Sequence, residues 1–225
     1  MDRLEAGLSA LELSDRNIGE ALKGRRETVL AQLAAYIHEI EFFNGAYSLV
    51  GAHTREELVV RHILDSLAPL GIIRHLIEET PVPALADLGS GAGLPGIPLA
   101  IALPDVQIIL IERMGKRAGF LRNTLALLGL KNAKLEEGET EKAAPGRFGL
   151  VTSRAYSPLT DSALKTMLRL LTSGGIITAY KGKKEKIEEE ENALEKQRPR
   201  WEIFPCPVPF LDEERHFVVI RDTRI

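Results

Sequence analysis

The chain has 225 residues and a mass of 24.8 kDa, which is enough for one large domain or for a domain with a smaller region attached. Apolar residues make up 44% of the sequence and charged residues 27%, proportions typical of a globular protein with a sizeable core. The 29 basic and 32 acidic residues give a formal net charge of −3. This balance excludes a histone-like basic protein and an acidic disordered tail, although it allows a local basic patch.

The cysteine content and the apolar runs indicate the cellular compartment. The single cysteine, Cys206, cannot form an internal disulfide or a thiolate zinc site, which fits a reducing cytoplasm. The first residues, Met1–Glu5, are too acidic for a signal peptide, and no apolar run approaches the ~20 residues of a membrane span. We therefore expect a soluble, cytoplasmic protein with no membrane partner.

From Asp2 to about Glu79 the apolar residues recur at spacings of three and four, which predicts amphipathic helices. Thr54 and Glu57 form a predicted capping box that opens the last of these stripes. The stripes are Leu4, Leu8 and Leu11; Val29, Leu30, Leu33, Ile37 and Ile40; and Leu58, Val59, Ile63 and Leu67. Pro81-Val82-Pro83 cannot continue a helix. We expect a helical region over residues 1–80 that packs on a domain formed by residues 81–225.

After this linker, strand and helix patterns alternate. The predicted strands are Ala84–Leu88, Val106–Ile111, Ala133–Leu135, Phe148–Ser153 and Ile176–Tyr180, and the predicted helices are Pro95–Leu103, Lys116–Leu128, Ser162–Leu171 and the mixed-charge segment Lys181–Arg198. Alternation of this kind predicts an α/β fold with a parallel sheet and helices on both faces. Trp201–Pro207 and Arg215–Arg221 predict a terminal antiparallel hairpin, which gives a seven-stranded, mostly parallel, Rossmann-like sheet.

A glycine loop follows the first predicted strand and fits two patterns. Gly91, Gly93 and Gly96 match the dinucleotide fingerprint G-x-G-x-x-G, whereas Gly89 and the next two loop glycines follow an acidic residue, Asp87, at a spacing of two. A pyrophosphate on a helix N-terminus would be repelled by an upstream carboxylate. A cofactor with a cationic sulfonium and an amino-acid moiety can use that carboxylate. Asp87 therefore favours S-adenosylmethionine.

The second predicted strand ends in another acidic residue, Glu112. A carboxylate at this position can accept hydrogen bonds from both hydroxyls of a ribose. Glu112 therefore indicates a nucleoside without choosing between the two cofactors. The terminal hairpin favours a methyltransferase, and a nicotinamide-dependent oxidoreductase remains the alternative.

Several groups that other methyl transfers require are missing. Cys206 lies between two prolines, away from the strand ends, so it is poorly placed as a nucleophile. The Asn-Pro-Pro-aromatic tetrapeptide of exocyclic amine methylation is replaced by Ser153-Arg154-Ala155-Tyr156, and the five histidines show no ligand spacing, so no metal is expected. A ring nitrogen with a lone pair, such as guanine N7, needs only positioning and desolvation. Arg154 is the candidate positioning group, for the methionine carboxylate or for a nucleotide phosphate.

Four basic residues, Arg113, Lys116, Arg117 and Arg122, lie close together on and before one predicted helix. They are candidate RNA-binding residues, and both a phosphate-binding patch and an ordinary exposed helix face remain open. A non-catalytic ribosome-assembly factor that uses this fold to bind RNA is a further alternative.

Three motifs appear in a fixed order along the chain: Arg61–Leu67, Asp87–Ala100 and Thr152–Ala155. Together they resemble the bacterial small-subunit ribosomal RNA guanine-N7 methyltransferase family, glucose-inhibited division protein B, over about residues 41–181. The resemblance implies a class I methyltransferase that moves a methyl group from S-adenosylmethionine to N7 of one guanine in the decoding-region loop of 16S rRNA, leaving S-adenosylhomocysteine. The implied partner is 16S rRNA or the 30S subunit, and we expect a monomer.

The resemblance also implies roles for individual residues. Gly89, Gly91 and Leu94 would line the cofactor, and the pair Thr140 and Glu141 would flank its adenine. The arginine after the fourth strand would contact either the cofactor or the target.

The sequence departs from the family at two positions that concern the site and the sheet. Leu94 stands where the family usually has phenylalanine, and Gly149 replaces a common aspartate.

Overall fold

A computed structural model describes residues 2–154, 159–194 and 200–221 of the chain. Helices α1 to α3 span Arg3–Ser14, Arg16–Leu22 and Arg26–Tyr47. Two short helices, α4 (Arg55–Leu58) and α5 (Asp65–Leu67), flank a π-helical turn at Val59–Leu64, and α6 spans Leu70–Glu79. The predicted helical region is thus present. Its treatment as a unit that ends at residue 80 stays a prediction.

Side-chain caps fix where several of these helices begin. The Asp2 carboxylate accepts the Leu4 N–H at 3.5 Å, and the Asp15 carboxylate accepts the Asn17 N–H at 2.9 Å. Thr54 accepts the Glu57 N–H at 3.1 Å, while the Glu57 carboxylate accepts the N–H of His53 at 2.7 Å. The bond to Thr54 satisfies a free donor of the first helical turn, and the bond from His53 ties the residue before the cap to the helix. The predicted cap at Thr54 is therefore present.

Seven strands form one sheet in the order β3-β2-β1-β4-β5-β7-β6. They are β1 (Ala84–Leu88), β2 (Gln107–Glu112), β3 (Ala133–Glu137), β4 (Phe148–Arg154), β5 (Leu171–Lys181), β6 (Arg200–Pro205) and β7 (His216–Arg221). The first five are parallel, and β7 runs antiparallel to both β5 and β6. The predicted mostly parallel sheet with a terminal hairpin is confirmed.

The remaining helices connect the strands. They are α7 (Gly96–Ala102), α8 (Gly115–Leu128), α9 (Asp161–Leu170) and α10 (Lys184–Ala193). Alternate residues of β1 and β2 point to opposite faces, as the pleat requires. Leu85 and Leu110 join a core with the N-terminal helices, α7 and α8, whereas Ala86 and Ile109 join a second core with α9 and α10. Helices therefore cover both faces of the sheet, as predicted.

Two boundaries differ from the sequence prediction in an informative way. Helix α7 begins at Gly96, so Pro95 occupies the N-cap position before the helix and is not part of its first turn. Strand β5 begins at Leu171, five residues earlier than predicted, because Leu171 pairs with Phe148 across an irregularity in the β4–β5 register. Pairing with a neighbouring strand is a tertiary effect that the glycine-containing sequence Thr172–Gly175 did not indicate.

None of the helices in the described ranges has both the length and the apolar character needed to cross a lipid bilayer.

Candidate cofactor site at the carboxyl ends of β1, β2 and β4

The candidate site lies where the strand order reverses. Leu88 of β1 pairs with Ile111 of β2 on one side and with Ser153 of β4 on the other, so these three strands end side by side. After β1 the chain crosses to β2 on one side of it, and after β3 it returns to β4 on the other side. A reversal of this kind leaves a crevice between the two connections in which a ligand can bind. Gly89, Glu112 and Arg154, all predicted site residues, lie at this edge.

The loop after β1 adopts backbone conformations that require glycine. Gly89, Gly91 and Gly93 have φ angles of 63°, 60° and 92°, in the left-handed region that side chains with a Cβ rarely adopt. The N–H groups of Gly89 and Ser90 both donate to the carbonyl of Ile111, at 2.9 and 3.1 Å, which fastens the loop to β2. The hydroxyl of Tyr36, a buried residue of α3, donates to the Ala92 carbonyl of the loop at 2.7 Å. Helix α3 thus supports the loop that would face the cofactor.

Asp87, the last residue but one of β1, is 1% exposed. Its Oδ2 accepts the N–H of Gly96 at 3.0 Å, which satisfies a free donor at the start of α7. Its Oδ1 is buried and has no hydrogen-bond partner among the described residues. Burial raises the pKa of this carboxyl from 3.8 to about 7. A buried, unpaired oxygen is costly, and an ammonium or sulfonium ligand nearby would lower that cost.

Glu112 ends β2 and is 3% exposed. Its Oε2 accepts the N–H of Gly91 and its Oε1 accepts the N–H of Met114, both at 2.8 Å. The backbone of β2 continues the same junction, because the Glu112 carbonyl accepts the N–H of Gly138 at 3.0 Å. Glu112 therefore joins the loops after β1, β2 and β3, and its carboxylate sits at the edge where a ribose would lie.

A cavity of about 510 Å³ opens beside these groups, a size typical of small-molecule sites. The carboxyl ends of β1, β2 and β3 with the residues that follow them, together with the starts of α8 and α9, supply its walls, so it exists only in the folded chain. It is lined by Gly89, Ile111, Glu112, Arg113, Met114, Arg117, Gly138, Glu139, Thr140, Glu141, Thr160, Ser162 and Ala163. Predicted cofactor residues Gly89, Glu112, Thr140 and Glu141 are thus brought together around one space, whereas Asp87, Gly91, Leu94 and Arg154 do not line it.

Thr140 and Glu141 lie in a single 3-10 turn, Thr140–Lys142, directly after β3. Arg169 of α9 holds this turn, because its guanidinium donates to the carbonyls of Thr140, Glu141 and Ala143 at 3.1, 3.0 and 2.7 Å. The sequence did not predict a role for Arg169. It is an exposed basic residue on an amphipathic helix, and this pattern is too common to indicate a role.

Arg154 ends β4 and points toward the π-helical turn. Its Nη1 donates to Asp65 Oδ2 at 3.1 Å and its Nη2 contacts His62 Nδ1 at 3.1 Å. Burial and the nearby Arg154 charge lower the pKa of His62 to about 4, so the ring is neutral and can accept this bond. The side chain of Arg154 is only 14% exposed. Arg154 therefore links the helical region to the sheet, in addition to any ligand contact.

The four candidate RNA-binding residues fall into two groups. Arg113 and Lys116 are exposed, and Arg113 and Arg117 border the cavity. Arg122 lies farther along α8 and pairs with Glu137 at 2.8 Å, which offsets its charge. The first three therefore present the stronger candidate surface. Two residues of the motif after β4, Ala155 and Tyr156, lie outside the described residues.

Within residues 2–154, 159–194 and 200–221, no three His, Cys, Asp or Glu side chains are close enough to hold a metal ion. The groups present fit S-adenosylmethionine instead. The unpartnered oxygen of Asp87 suits a cationic ligand, Glu112 suits ribose hydroxyls, and left-handed glycines allow the backbone to approach both.

Solved structures support the class that this fold defines. A predicted O-methyltransferase from Agrobacterium tumefaciens superposes with a TM-score of 0.56 at 22% identity, covering 72% of this chain and 82% of that one. A SAM-dependent methyltransferase from Aquifex aeolicus gives 0.55 at 16% identity, covering 70% and 93%. The fold is that of the class I, S-adenosylmethionine-dependent methyltransferases.

Sequence relatives narrow this class to a family. A family model described as rRNA small subunit methyltransferase G matches residues 29–218. The chain is 35% identical over 245 residues to the ribosomal RNA small subunit methyltransferase G of Treponema denticola, covering 97% of this chain and 95% of that protein. It is 41% identical over 194 residues to the namesake of Treponema pallidum, with 84% coverage of each. The chain belongs to the rRNA small subunit methyltransferase G family, so the oxidoreductase alternative is set aside.

Proposed function

We propose that this protein transfers a methyl group from S-adenosylmethionine to N7 of one guanine in the decoding-region loop of 16S rRNA. The observation that carries the proposal is the pair of buried carboxylates, Asp87 and Glu112, at the ends of adjacent strands, of which Glu112 lines the cavity. Family membership and the names of the relatives support rRNA of the small subunit as the substrate.

The cofactor supplies a methyl group on a positively charged sulfur. The lone pair of guanine N7 forms the new N–C bond while the electrons of the C–S bond stay on the sulfur, so no proton has to be removed. The protein therefore needs to bind, orient and desolvate the reactants. Asp87 would hold the positive end of the cofactor, Glu112 its ribose, and the turn at Thr140 and Glu141 its adenine.

The candidate roles of the basic residues complete this proposal. Arg154 would orient the target or the methionine carboxylate, and the surface formed by Arg113, Lys116 and Arg117 would contact the RNA backbone. Arg122 would contribute less, because Glu137 already offsets its charge. We also propose that the protein acts as a monomer in the cytoplasm, which light scattering and cell fractionation would test.

Mass spectrometry of 16S rRNA from cells that lack this protein tests the proposal directly. We expect one 7-methylguanosine to be missing and to return when the purified protein and S-adenosylmethionine are added to 30S subunits from those cells. Equal 7-methylguanosine content in cells with and without the protein would overturn the assignment. RNA binding with no cofactor binding would instead indicate the non-catalytic assembly factor.

A further inference from the structure

A second group of charged side chains lies next to the cofactor site, where the π-helical turn meets the start of β7. Asp65 at its centre is 7% exposed and uses both carboxylate oxygens. Oδ2 accepts from Arg154 at 3.1 Å, and Oδ1 lies 3.3 Å from Nε of Arg215. Because β7 begins beside the carboxyl end of β5, Arg215 is held at the same edge of the sheet as the cofactor cavity.

The two arginines on Asp65 differ in the donors they have left. Besides Asp65, Arg154 contacts His62 Nδ1 at 3.1 Å and the carbonyls of Arg61 and His62 at 3.5 Å. Arg215 uses Nε for Asp65 and Nη1 for the carbonyl of Glu214 at 3.0 Å, which leaves Nη2 for an exposed partner. Arg154 is thus mainly an internal link, whereas Arg215 presents Nη2 to the exposed carboxylate of Glu213.

Nη2 of Arg215 shares a carboxylate with a second arginine. Nη2 of Arg61 lies 2.6 Å from Oε1 of Glu213, and Nη2 of Arg215 lies 3.1 Å from Oε2 of the same residue. Each oxygen of Glu213 therefore meets a different guanidinium. The side chains of Arg61 and Glu213 are 45% and 43% exposed, so solvent and ligands can reach them.

We propose that Arg61 and Arg215 form a phosphate-binding subsite for the backbone of the target RNA, and that Glu213 occupies this subsite until RNA replaces it. A phosphodiester resembles the Glu213 carboxylate in carrying one negative charge and two terminal oxygens, and guanidinium groups bind both. The subsite adjoins the end of β4, because Arg154 contacts the carbonyl of Arg61. This inference rests on the proposed function, since it takes RNA as the substrate.

Replacement of Glu213 by a phosphate is energetically accessible. Exposed ion pairs contribute little, about two- to fivefold in an equilibrium constant for each pair, and the released carboxylate is hydrated again. The buried pairs on Asp65 stay in place and keep Arg215 oriented during the exchange. Glu213 would therefore lower RNA affinity slightly while keeping the two arginines together in the free protein.

The test measures binding of full-length variants to 30S subunits purified from cells that lack the protein, over a series of salt concentrations. We expect Glu213→Gln to bind about two- to fivefold more tightly than the wild type. Arg61→Gln and Arg215→Gln should bind about three- to tenfold more weakly. In each variant the negative slope of log K against log salt should become shallower by about 0.7 to 0.9.

An ion-paired group at the opposite edge of the sheet supplies matched controls. Arg74 of α6 pairs with Glu78 at 3.0 Å and also with Asp105. Glu78→Gln and Arg74→Gln make the same changes in net charge as the test variants, and we expect both to bind RNA as the wild type does. Melting temperatures of all five variants show whether each is folded. If Arg215→Gln is unstable because Asp65 has lost a partner, the binding of Arg61→Gln decides the test.

The inference is overturned if Glu213→Gln binds no more tightly than Glu78→Gln, or if Arg61→Gln keeps the affinity and salt slope of Arg74→Gln. Methyl transfer by the wild type to the same 30S subunits reports separately on the proposed function. Absence of transfer together with the expected binding changes would remove the proposed reaction but keep the phosphate subsite. Normal methyl transfer with unchanged binding in the variants would keep the proposed reaction but remove the phosphate subsite.

Discussion

At the level of single residues, the candidate site depends on two carboxylates with different environments. Each carboxylate oxygen of Glu112 accepts a hydrogen bond from a backbone N–H, one from Gly91 and the other from Met114. Asp87 has one oxygen bonded to Gly96 and one buried without a partner in the described part of the chain. Burial raises the pKa of Asp87 to about 7. Glu112 therefore orders the loops, whereas Asp87 stores an unfavourable energy that a cationic ligand can relieve.

Replacement of Glu112 by alanine should weaken S-adenosylmethionine binding by ~1–3 kcal/mol, because a ribose hydroxyl and two backbone donors lose their acceptor. Titration calorimetry with the folded variant measures this loss. Glu188→Ala is the matched control, since Glu188 is half-exposed on α10 and forms a surface pair with Lys184 at 3.5 Å. Unchanged affinity in Glu112→Ala would argue against the assigned site.

The raised pKa of Asp87 predicts a dependence of stability on pH. Because the folded pKa of about 7 lies above the ordinary 3.8, the folded state holds the proton more tightly. The stabilisation is complete below about pH 4 and is lost as the pH rises through 7. Asp87→Asn cannot titrate, so the difference in unfolding free energy between wild type and variant should shrink from pH 4 to pH 8, by at most about 4 kcal/mol.

Urea unfolding of both proteins at several pH values gives this difference. His62 works in the opposite direction, because its pKa is lowered to about 4 and its contribution is lost as the pH falls below 6.5. His62 is present in both proteins, so its effect cancels in the difference. A difference in unfolding free energy that stays constant from pH 4 to pH 8 would show that the pKa of Asp87 is not raised in the folded protein.

At the level of elements, one glycine explains a departure from the family. An alanine Cβ at Gly149 in β4 would clash with the Val82 carbonyl oxygen and with Thr80 Oγ1. The linker between α6 and β1 thus packs directly on the backbone of β4. The aspartate that the family resemblance predicts at this position would require this linker to move.

Gly149→Ala should therefore destabilise the protein by about 1–3 kcal/mol, the usual cost of overpacking, and lower the melting temperature by roughly 2–4 °C for each kcal/mol. Gly119→Ala is the control, because nothing lies within 4 Å of a Cβ at that position of α8. Alanine at Gly119 should raise stability slightly, since glycine is unfavourable inside a helix. Thermal unfolding of both variants gives the comparison, and equal melting temperatures would contradict the tight packing at Gly149.

At the level of the whole molecule, the helical region and the sheet share one core. Leu8, Ile37 and Ile63 belong to the same apolar cluster as Leu85 and Leu110 of the sheet. Arg154 and Asp65 join the two regions by a largely buried ion pair as well. Removal of the N-terminal helices would expose to water the part of this core that α7 and α8 do not cover.

A fragment of residues 81–225 should therefore fail to fold by itself, although the sequence pattern predicts a domain there. The apolar groups that it would expose stabilise the whole chain by ~25 cal/mol for each Å² buried. Circular dichroism and the dispersion of amide resonances, with the full chain as the reference, measure the outcome. A cooperatively folded fragment would show that the boundary at residue 80 separates two independent domains.

Periodicity and turn chemistry were sufficient to predict the succession of strands along the chain, most of the helices and the glycine loop, because these signals are local. They did not separate α2 and α6 or predict the π-helical turn between α4 and α5. Asp87 and Glu112 could be predicted for the same reason, since each lies at the end of an apolar run. Arg169, Asp65 and Glu213 could not be predicted. Each acts on residues far away in the sequence, and a lone charged residue has no local pattern that distinguishes its role.

Local chemistry therefore determined the fold class and the positions of the two candidate carboxylates along the chain, whereas folding determined which groups meet. The bonds of Arg154 show the difference most clearly. Its place at the end of β4 follows from the strand pattern, but its pairing with Asp65 and His62 requires the π-helical turn to pack against the sheet. Long-range electrostatic contacts depend on distances through space, and only the packed chain brings those side chains within hydrogen-bonding distance.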